Sequence, residues 1–137
     1  MKKQVKGLSA ILLALLGTVS CNIDVEDYAL TESGFAVSVE DYPSRIKTGE
    51  TIGIRCRIIP DEHQRYIHYF YMYRQREGNG ILENTKGNKL YEYTTNFFKG
   101  ESFTVYYTAQ SGTKQELVLS VHNNYGKKEN IIIKFND

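Results

Sequence analysis

Apolar and polar residues alternate along much of the chain after residue 33. The clearest alternating stretch has its apolar positions at Ile52, Ile54, Cys56 and Ile58. A period of two is typical of a β-strand that buries one of its two faces. We expect Pro60 to end this strand, because a proline cannot donate a hydrogen bond to a sheet.

The same alternation predicts further strands on both sides of this one. Their apolar sides are Phe35, Val37 and Val39; Phe103, Val105 and Tyr107; Leu117, Leu119 and Val121; and Ile131, Ile133 and Phe135. The stretch 66–74 is apolar or aromatic on both faces, which predicts a central strand, and 90–94 is a possible short strand. Gly78-Asn79-Gly80 and residues 86–89 have turn composition, and Asn96 to Gly100 reads as a bend.

About seven short strands, spaced 8–12 residues apart and separated by turns, predict an all-β immunoglobulin-like sandwich. The antibody pattern of two cysteines and a tryptophan is missing, since the chain has no Trp. A small β-barrel is the alternative architecture. The predicted boundaries of the sandwich domain are residues 34–137.

The first twenty residues have the composition of a secretory signal. Lys2, Lys3 and Lys6 precede a short apolar run, Leu8 to Leu16, and small residues follow it. This run is about half the ~20 residues that a membrane-spanning helix needs. We therefore predict that residues 1–20 are a cleaved signal peptide.

Cys21 directly follows these small residues, which is the position at which bacterial lipoproteins receive their lipid. Thr18 stands where a leucine is usual in that signal. We predict Cys21 as a lipid-attachment site that anchors the chain to a membrane, with an ordinary secreted protein as the alternative. Residues 21–33 are then the lipidated cysteine and an acidic tether, which would reach about 40 Å at ~3.4 Å per residue.

Composition limits the function classes that remain. Removal of residues 1–20 from the 137 leaves 117, the size of one domain, with 14 of the 17 basic and all 16 acidic side chains. A net charge of about −2 argues against a nucleic-acid partner. With Cys21 lipidated, Cys56 has no cysteine to pair with, and its alternating context predicts a small core residue.

Three histidines and no recognisable catalytic motif argue against an enzyme. Asp61, Glu62, His63 and His68 form the one sequence cluster that resembles a metal site. A metal site needs three or four ligands converging from a rigid frame, whereas these residues span a predicted loop and the start of a strand. We interpret them, and the isolated His122, as ordinary solvated residues, and we expect no metal and no cofactor.

The aromatic content is the more informative candidate feature, because the chain has 11 tyrosines. Tyr69, Tyr71 and Tyr73 share one face of the predicted central strand, and Tyr106 lies on another strand. If these rings are exposed, they form a surface for a protein partner or for stacking on a sugar. The alternative is that they fill the core, since aromatic side chains favour pleated sheets.

Several segments in their order along the chain resemble the TraQ-like conjugative-transposon lipoproteins of Bacteroides-type bacteria. These segments are Cys21 to Val25, Gly49-Glu50-Thr51, Ile54-Arg55-Cys56, Tyr66 to Phe70, Gly78-Asn79-Gly80 with Leu82, Phe103 to Thr108, and Asn123 to Gly126. The resemblance extends over nearly all of the mature chain. It implies an immunoglobulin-like accessory protein of the cell envelope, encoded with a transfer apparatus, without enzymatic activity.

Two hypotheses for function follow. The first is a lipid-anchored envelope protein, at the outer membrane, that binds other conjugative transfer or envelope proteins. The second is a lipoprotein that binds glycans or a host surface through Tyr69, Tyr71 and Tyr73. An exposed row of rings would favour the sugar, and an uncovered strand edge would favour a protein partner that adds a strand.

Overall fold

The computed structural model describes residues 34–62 and 66–137, which form eight β-strands. The strands are β1 (Phe35–Val39), β2 (Thr51–Pro60), β3 (Tyr69–Glu77), β4 (Gly80–Glu83), β5 (Asn96–Phe98), β6 (Ser102–Ala109), β7 (Gln115–Asn123) and β8 (Lys128–Phe135). No helix in this described part is long and apolar enough to cross a membrane.

The strands form two antiparallel sheets of four. The first sheet has the order β1-β2-β6-β4 and the second has the order β5-β3-β7-β8. Without β5, these orders are those of the immunoglobulin constant-type sandwich, in which strands A, B, E and D face strands C, F and G. The predicted all-β immunoglobulin-like fold is therefore confirmed, with eight strands where about seven were expected.

The core lies between the two sheets and is made by the alternating positions. Ile54, Val105, Leu119 and Ile133 are fully buried, as the alternation predicted. Since opposite residues of an antiparallel pair share a face, each register brings apolar side chains together; for example, Ile54 lies opposite Val105 on the neighbouring strand.

The sequence placed the central strand three residues too early. β3 begins at Tyr69 rather than Tyr66, because Tyr66 has a left-handed backbone, with φ of 60°. Asn124 fixes this approach to β3: its side-chain amide donates to the Tyr66 carbonyl (2.9 Å) and accepts from the His68 N–H (2.7 Å). These contacts come from the β7–β8 turn, far away in sequence.

The short strand predicted over 90–94 was wrong. Leu90 makes one backbone bond to Leu82, and the chain then turns so that the Tyr93 N–H donates to the Tyr73 carbonyl (3.1 Å). The Glu92 carboxylate accepts from the Gln75 N–H (2.8 Å). The segment thus caps the part of the β3 edge that β5 leaves open. β4 and β5 are short strands at sheet edges. The sequence assigned β5 to a bend and only the first residue of β4, Gly80, to a turn.

Candidate partner-binding surface

The three tyrosines of β3 lie inside the sandwich. Tyr69, Tyr71 and Tyr73 are 3%, 4% and 7% exposed. Tyr71 stacks on Phe103 of the opposite sheet, with centroids 4.1 Å apart and planes 7° apart. The core interpretation of these rings is therefore the one that the structure supports. The exposed row required for sugar stacking is not present on β3, because its tyrosine face meets the first sheet.

The hydroxyl groups of these tyrosines also reflect burial. Burial raises the pKa of all three, that of Tyr71 to about 12, with a smaller contribution from the neighbouring Cys56. The Tyr73 hydroxyl donates to the Leu90 carbonyl (3.1 Å). The Tyr69 hydroxyl is buried without a hydrogen-bond partner among the described residues. Burial and raised pKa values of this kind are typical of tyrosines that pack in a protein core.

Tyr106 lies apart from the other three tyrosines. It is on the outer face of the first sheet, 37% exposed, and its ring covers Gly53 on the adjacent strand β2. The four predicted site residues are therefore not brought together. A binding role for Tyr106 stays a prediction.

The exposed aromatic surface is on the other face of β3, the outer face of the second sheet. Phe97 of β5, Phe70 of β3 and His122 of β7 lie in one row across three strands. The Phe70 ring is 5.5 Å from that of Phe97 and 4.9 Å from the imidazole of His122, and Phe97 is 75% exposed. The sequence indicated an aromatic surface because both faces of residues 66–74 are aromatic or apolar. This pattern could not predict which of the two faces would be buried.

A shallow groove of about 210 Å³ continues this outer face toward β8. It is lined by Met72, Tyr93, Val118, Ser120, His122 and Lys128, among others. Ile132 on β8, opposite Val118, is 46% exposed and extends the apolar surface to the edge of the sheet. Burial and the nearby Lys128 ammonium both lower the pKa of His122. The groove therefore presents apolar side chains and a neutral imidazole at neutral pH.

β8 is the long edge strand of the second sheet. The Asn123 N–H donates to the Lys127 carbonyl where the β7–β8 hairpin closes (3.1 Å). From this pairing, the odd-numbered residues of β8 direct their backbone groups to β7, and the even-numbered ones direct them away from the sheet. The backbone N–H groups of Lys128, Asn130 and Ile132 have no partner among the described residues. They form the open edge of the sheet.

The end of β8 is covered by the chain that follows β1. The Lys134 N–H donates to the Tyr42 hydroxyl (3.2 Å), and the Asn136 N–H donates to the Ser44 carbonyl (2.7 Å). Arg45 forms a parallel bridge with Asn136. The open edge is thus limited to residues 128–132, about 17 Å of strand at ~3.4 Å per residue.

The remaining candidate residues do not assemble into a chemical site in the described part of the chain. Asp61 and Glu62 follow β2, His68 precedes β3, and His63 lies outside the described residues. No group of three or more His, Cys, Asp or Glu side chains within residues 34–62 and 66–137 could hold a metal ion. Cys56 is buried in the core, as predicted, and burial raises its pKa to about 12. Cys21 and the tether lie outside the described residues.

Comparisons with known proteins connect the fold to a biological setting. The family model of the TraQ conjugal transfer protein matches residues 4–137. The chain resembles the crystal structure of a conjugative transposon lipoprotein from Bacteroides eggerthii, with 26% identity and a TM-score of 0.71 over 75% of this chain and 97% of that one. No curated protein matches the chain.

Two solution structures are also similar. One is a lipoprotein from Bacteroides thetaiotaomicron, with 29% identity and a TM-score of 0.68 over 76% of this chain and 80% of that one. The other is a conjugate transposon protein from Bacteroides vulgatus, with 28% identity and a TM-score of 0.67 over 77% and 86%.

Proposed function

The chain belongs to the TraQ conjugal transfer protein family, and we propose that it acts as a non-enzymatic envelope lipoprotein that binds other proteins of a conjugative transposon transfer apparatus. Its mechanism would be attachment to a membrane combined with recognition of a partner. The open edge of β8 is the observation on which the binding role rests.

Attachment is assigned to Cys21. Three acyl chains on this residue, at about 0.8 kcal/mol per buried methylene, would hold the domain stably at a membrane. Residues 22–33 would set the distance between the anchor and the domain. A lipid anchor is in accord with the description of similar Bacteroides proteins as lipoproteins, and we propose the outer membrane as its location.

Recognition is assigned to residues 128–132. An exposed strand edge offers a row of backbone groups that an extended segment of another protein can pair with, and such pairing supplies much of the affinity in strand-addition complexes. Exposed edges are usually protected, because they also permit aggregation. Here the Tyr42–Arg45 segment protects one half of β8, and no described residue pairs with the other half, which we assign to a partner.

The proposal can be tested by the frequency of transfer of the resident mobile element. The gene is deleted and complemented with the wild type, Cys21→Ala, Asn130→Pro or Asn130→Ala. Proline at 130 removes an N–H that points away from β7, so the β7–β8 ladder keeps its bonds. Both Asn130 variants lose the hydrogen bond that the Ser120 hydroxyl donates to the Asn130 carboxamide (2.7 Å). Alanine, which keeps the backbone N–H, is therefore the matched control.

We expect the deletion to lower transfer and the wild type to restore it. Cys21→Ala and Asn130→Pro should restore it poorly, whereas Asn130→Ala should restore it well. Thermal unfolding of both Asn130 variants checks that the domain remains folded. Unchanged transfer after the deletion would refute a role in conjugation, and equal rescue by the proline and alanine variants would refute the use of the β8 edge.

A further inference from the structure

On one side of the sandwich, the edge strands of the two sheets are not paired with each other, which leaves an opening along the edge of β8. β1 and β8 lie against each other across the sandwich at this side. Val37 and Val39 of β1 and Ile131 of β8 pack on the core there but are only partly buried. Deeper along β8, Ile133 is fully buried. A stripe of apolar side chains therefore reaches the surface next to the open backbone groups of residues 128–132.

The charges around this opening are mostly positive. Lys127 and Lys128 stand at the start of β8 and Lys134 stands near its end, with Glu129 as the acidic residue of the strand. None of the three lysines forms an ion pair with another described residue. The neighbouring Glu40 is paired with Arg55 on the first sheet (3.3 Å). An incoming segment would meet the unpaired ammonium group of Lys128 on the outer side of the open edge, with Lys127 in the adjoining turn and Lys134 on the same outer side beyond it.

We propose that this side of the sandwich binds an extended protein segment of about five residues in which apolar and acidic side chains alternate. The inference rests on the proposed binding function and specifies the chemistry of the partner. Pairing with the N–H groups of Lys128, Asn130 and Ile132 would place every second partner side chain over Val37 and Ile131. The intervening side chains would lie on the outer face, beside Lys128.

Alternation is required by the geometry of a strand, because successive side chains point to opposite faces. The inward positions meet the apolar stripe at Val37 and Ile131, with Glu129 beyond its end. The outward positions meet Lys128, Asn130 and Ile132, of which Lys128 is the charged one. Complementary charge favours association, and like charge opposes it. A second copy of this chain is a poorer occupant, because pairing of two β8 edges would double the excess of lysine along one seam.

The direct test uses synthetic peptides and the mature chain, residues 21–137 with Cys21→Ala, labelled with ¹⁵N. The first peptide alternates glutamate and valine over seven residues. The second alternates lysine and valine, and the third has the composition of the first in block order. Binding is followed by the amide shifts and the hydrogen exchange of Lys128, Asn130 and Ile132. The same titration is repeated with Asn130→Pro and Asn130→Ala.

We expect the glutamate–valine peptide to shift these three amides, to slow their exchange, and to bind at least about tenfold more tightly than the two other peptides, which corresponds to ~1.4 kcal/mol. Asn130→Pro should lose the effect and Asn130→Ala should keep it. Equal binding of all three peptides, or none at millimolar concentration, would overturn the inference. A concentration-dependent dimer through β8, detected by diffusion measurements, would overturn it as well.

The outcome is separable from that of the transfer experiment. If no peptide binds while Asn130→Pro still abolishes transfer, the assigned partner chemistry is wrong and the edge still functions. If the peptide binds and transfer is unaffected by Asn130→Pro, the edge recognises this class of segment and the proposed function is wrong.

Discussion

The ring of Phe70 lies flat against the imidazole of His122, with centroids 4.9 Å apart and planes 3° apart. The two residues are opposite each other on β3 and β7, so the sheet register fixes the stack. Burial against this surface, together with the Lys128 ammonium, lowers the pKa of His122. The imidazole is thereby kept neutral at pH values at which a free histidine is partly protonated.

Replacement of Lys128 by glutamine should raise the pKa of His122 toward its ordinary value of about 6.5, without fully restoring it, because burial remains. The pKa is measured by NMR titration of the imidazole signals. Lys134→Gln, at the far end of β8, is the control and should leave the titration unchanged. A His122 pKa that is the same in Lys128→Gln and wild type would contradict the electrostatic contribution.

The lowered pKa also implies a pH dependence of stability. The folded state binds the proton of His122 less readily than the unfolded chain does. The contribution of neutral His122 to the free energy of unfolding is therefore complete above about pH 6.5, and it is lost as the pH falls through the folded-state pKa. Urea unfolding of wild type and His122→Gln between pH 7.5 and 5 measures this. As the pH falls, the wild type should lose more of its free energy of unfolding than His122→Gln. Equal losses in the two proteins would show that His122 does not cause the pH dependence.

Replacement by phenylalanine should affect stability differently at two buried tyrosine hydroxyl groups. The Tyr107 hydroxyl donates to the buried Gln115 carboxamide and accepts from Gln75 (2.9 Å). Tyr107→Phe should lower the free energy of unfolding by about 1–2 kcal/mol. The Tyr69 hydroxyl has no partner among the described residues, so Tyr69→Phe should leave stability unchanged or increase it. Equal losses in both variants, measured by urea unfolding, would refute this distinction.

The close approach of Gly80 to the Tyr107 ring should make this glycine hard to replace. A Cβ at position 80 would overlap the phenol ring, whereas one at Gly112 would lie at an ordinary 3.5 Å from the Thr48 hydroxyl. Gly80→Ala should therefore destabilise the domain by about 1–3 kcal/mol, the usual range for overpacking, and Gly112→Ala should have a small effect. Thermal and urea unfolding compare the stabilities of the two variants with that of the wild type. A Gly80→Ala protein as stable as the wild type would contradict the contact between Gly80 and Tyr107.

Cys56 should be inert in the folded protein. Its thiol is buried, and a pKa of about 12 leaves almost no reactive thiolate at neutral pH. In the Cys21→Ala mature chain, a chromogenic disulfide reagent should react with Cys56 only as fast as the domain opens, and rapidly in denaturant. The double variant Cys21→Ala/Cys56→Ala has no thiol and gives the background signal of the reagent. Rapid labelling without denaturant would show that the thiol is accessible.

Much of the fold could be predicted from residues with a clean alternation. Ile52 to Ile58 and Phe103 to Tyr107 each place apolar side chains on one face, so the buried side follows from the pattern alone. β4 and β5 could not be predicted in this way. They have four and three residues, too few to show a period, and they exist because β6 and β3 offer edges for pairing.

Most of the candidate binding surface could not be predicted from the sequence. Alternation placed Tyr69, Tyr71 and Tyr73 on the face opposite Phe70, but both faces of β3 are aromatic, so the pattern did not say which face would be buried. The covalent sequence determined the all-β class and the apolar face of each alternating strand, because a two-residue period is a local property of an extended chain. Only the tertiary structure decided that the tyrosines are core, that Phe97 is exposed beside a half-buried Phe70, and that the described residues leave half of the β8 edge unpaired. Pairing between strands distant in sequence decides which faces and edges are covered.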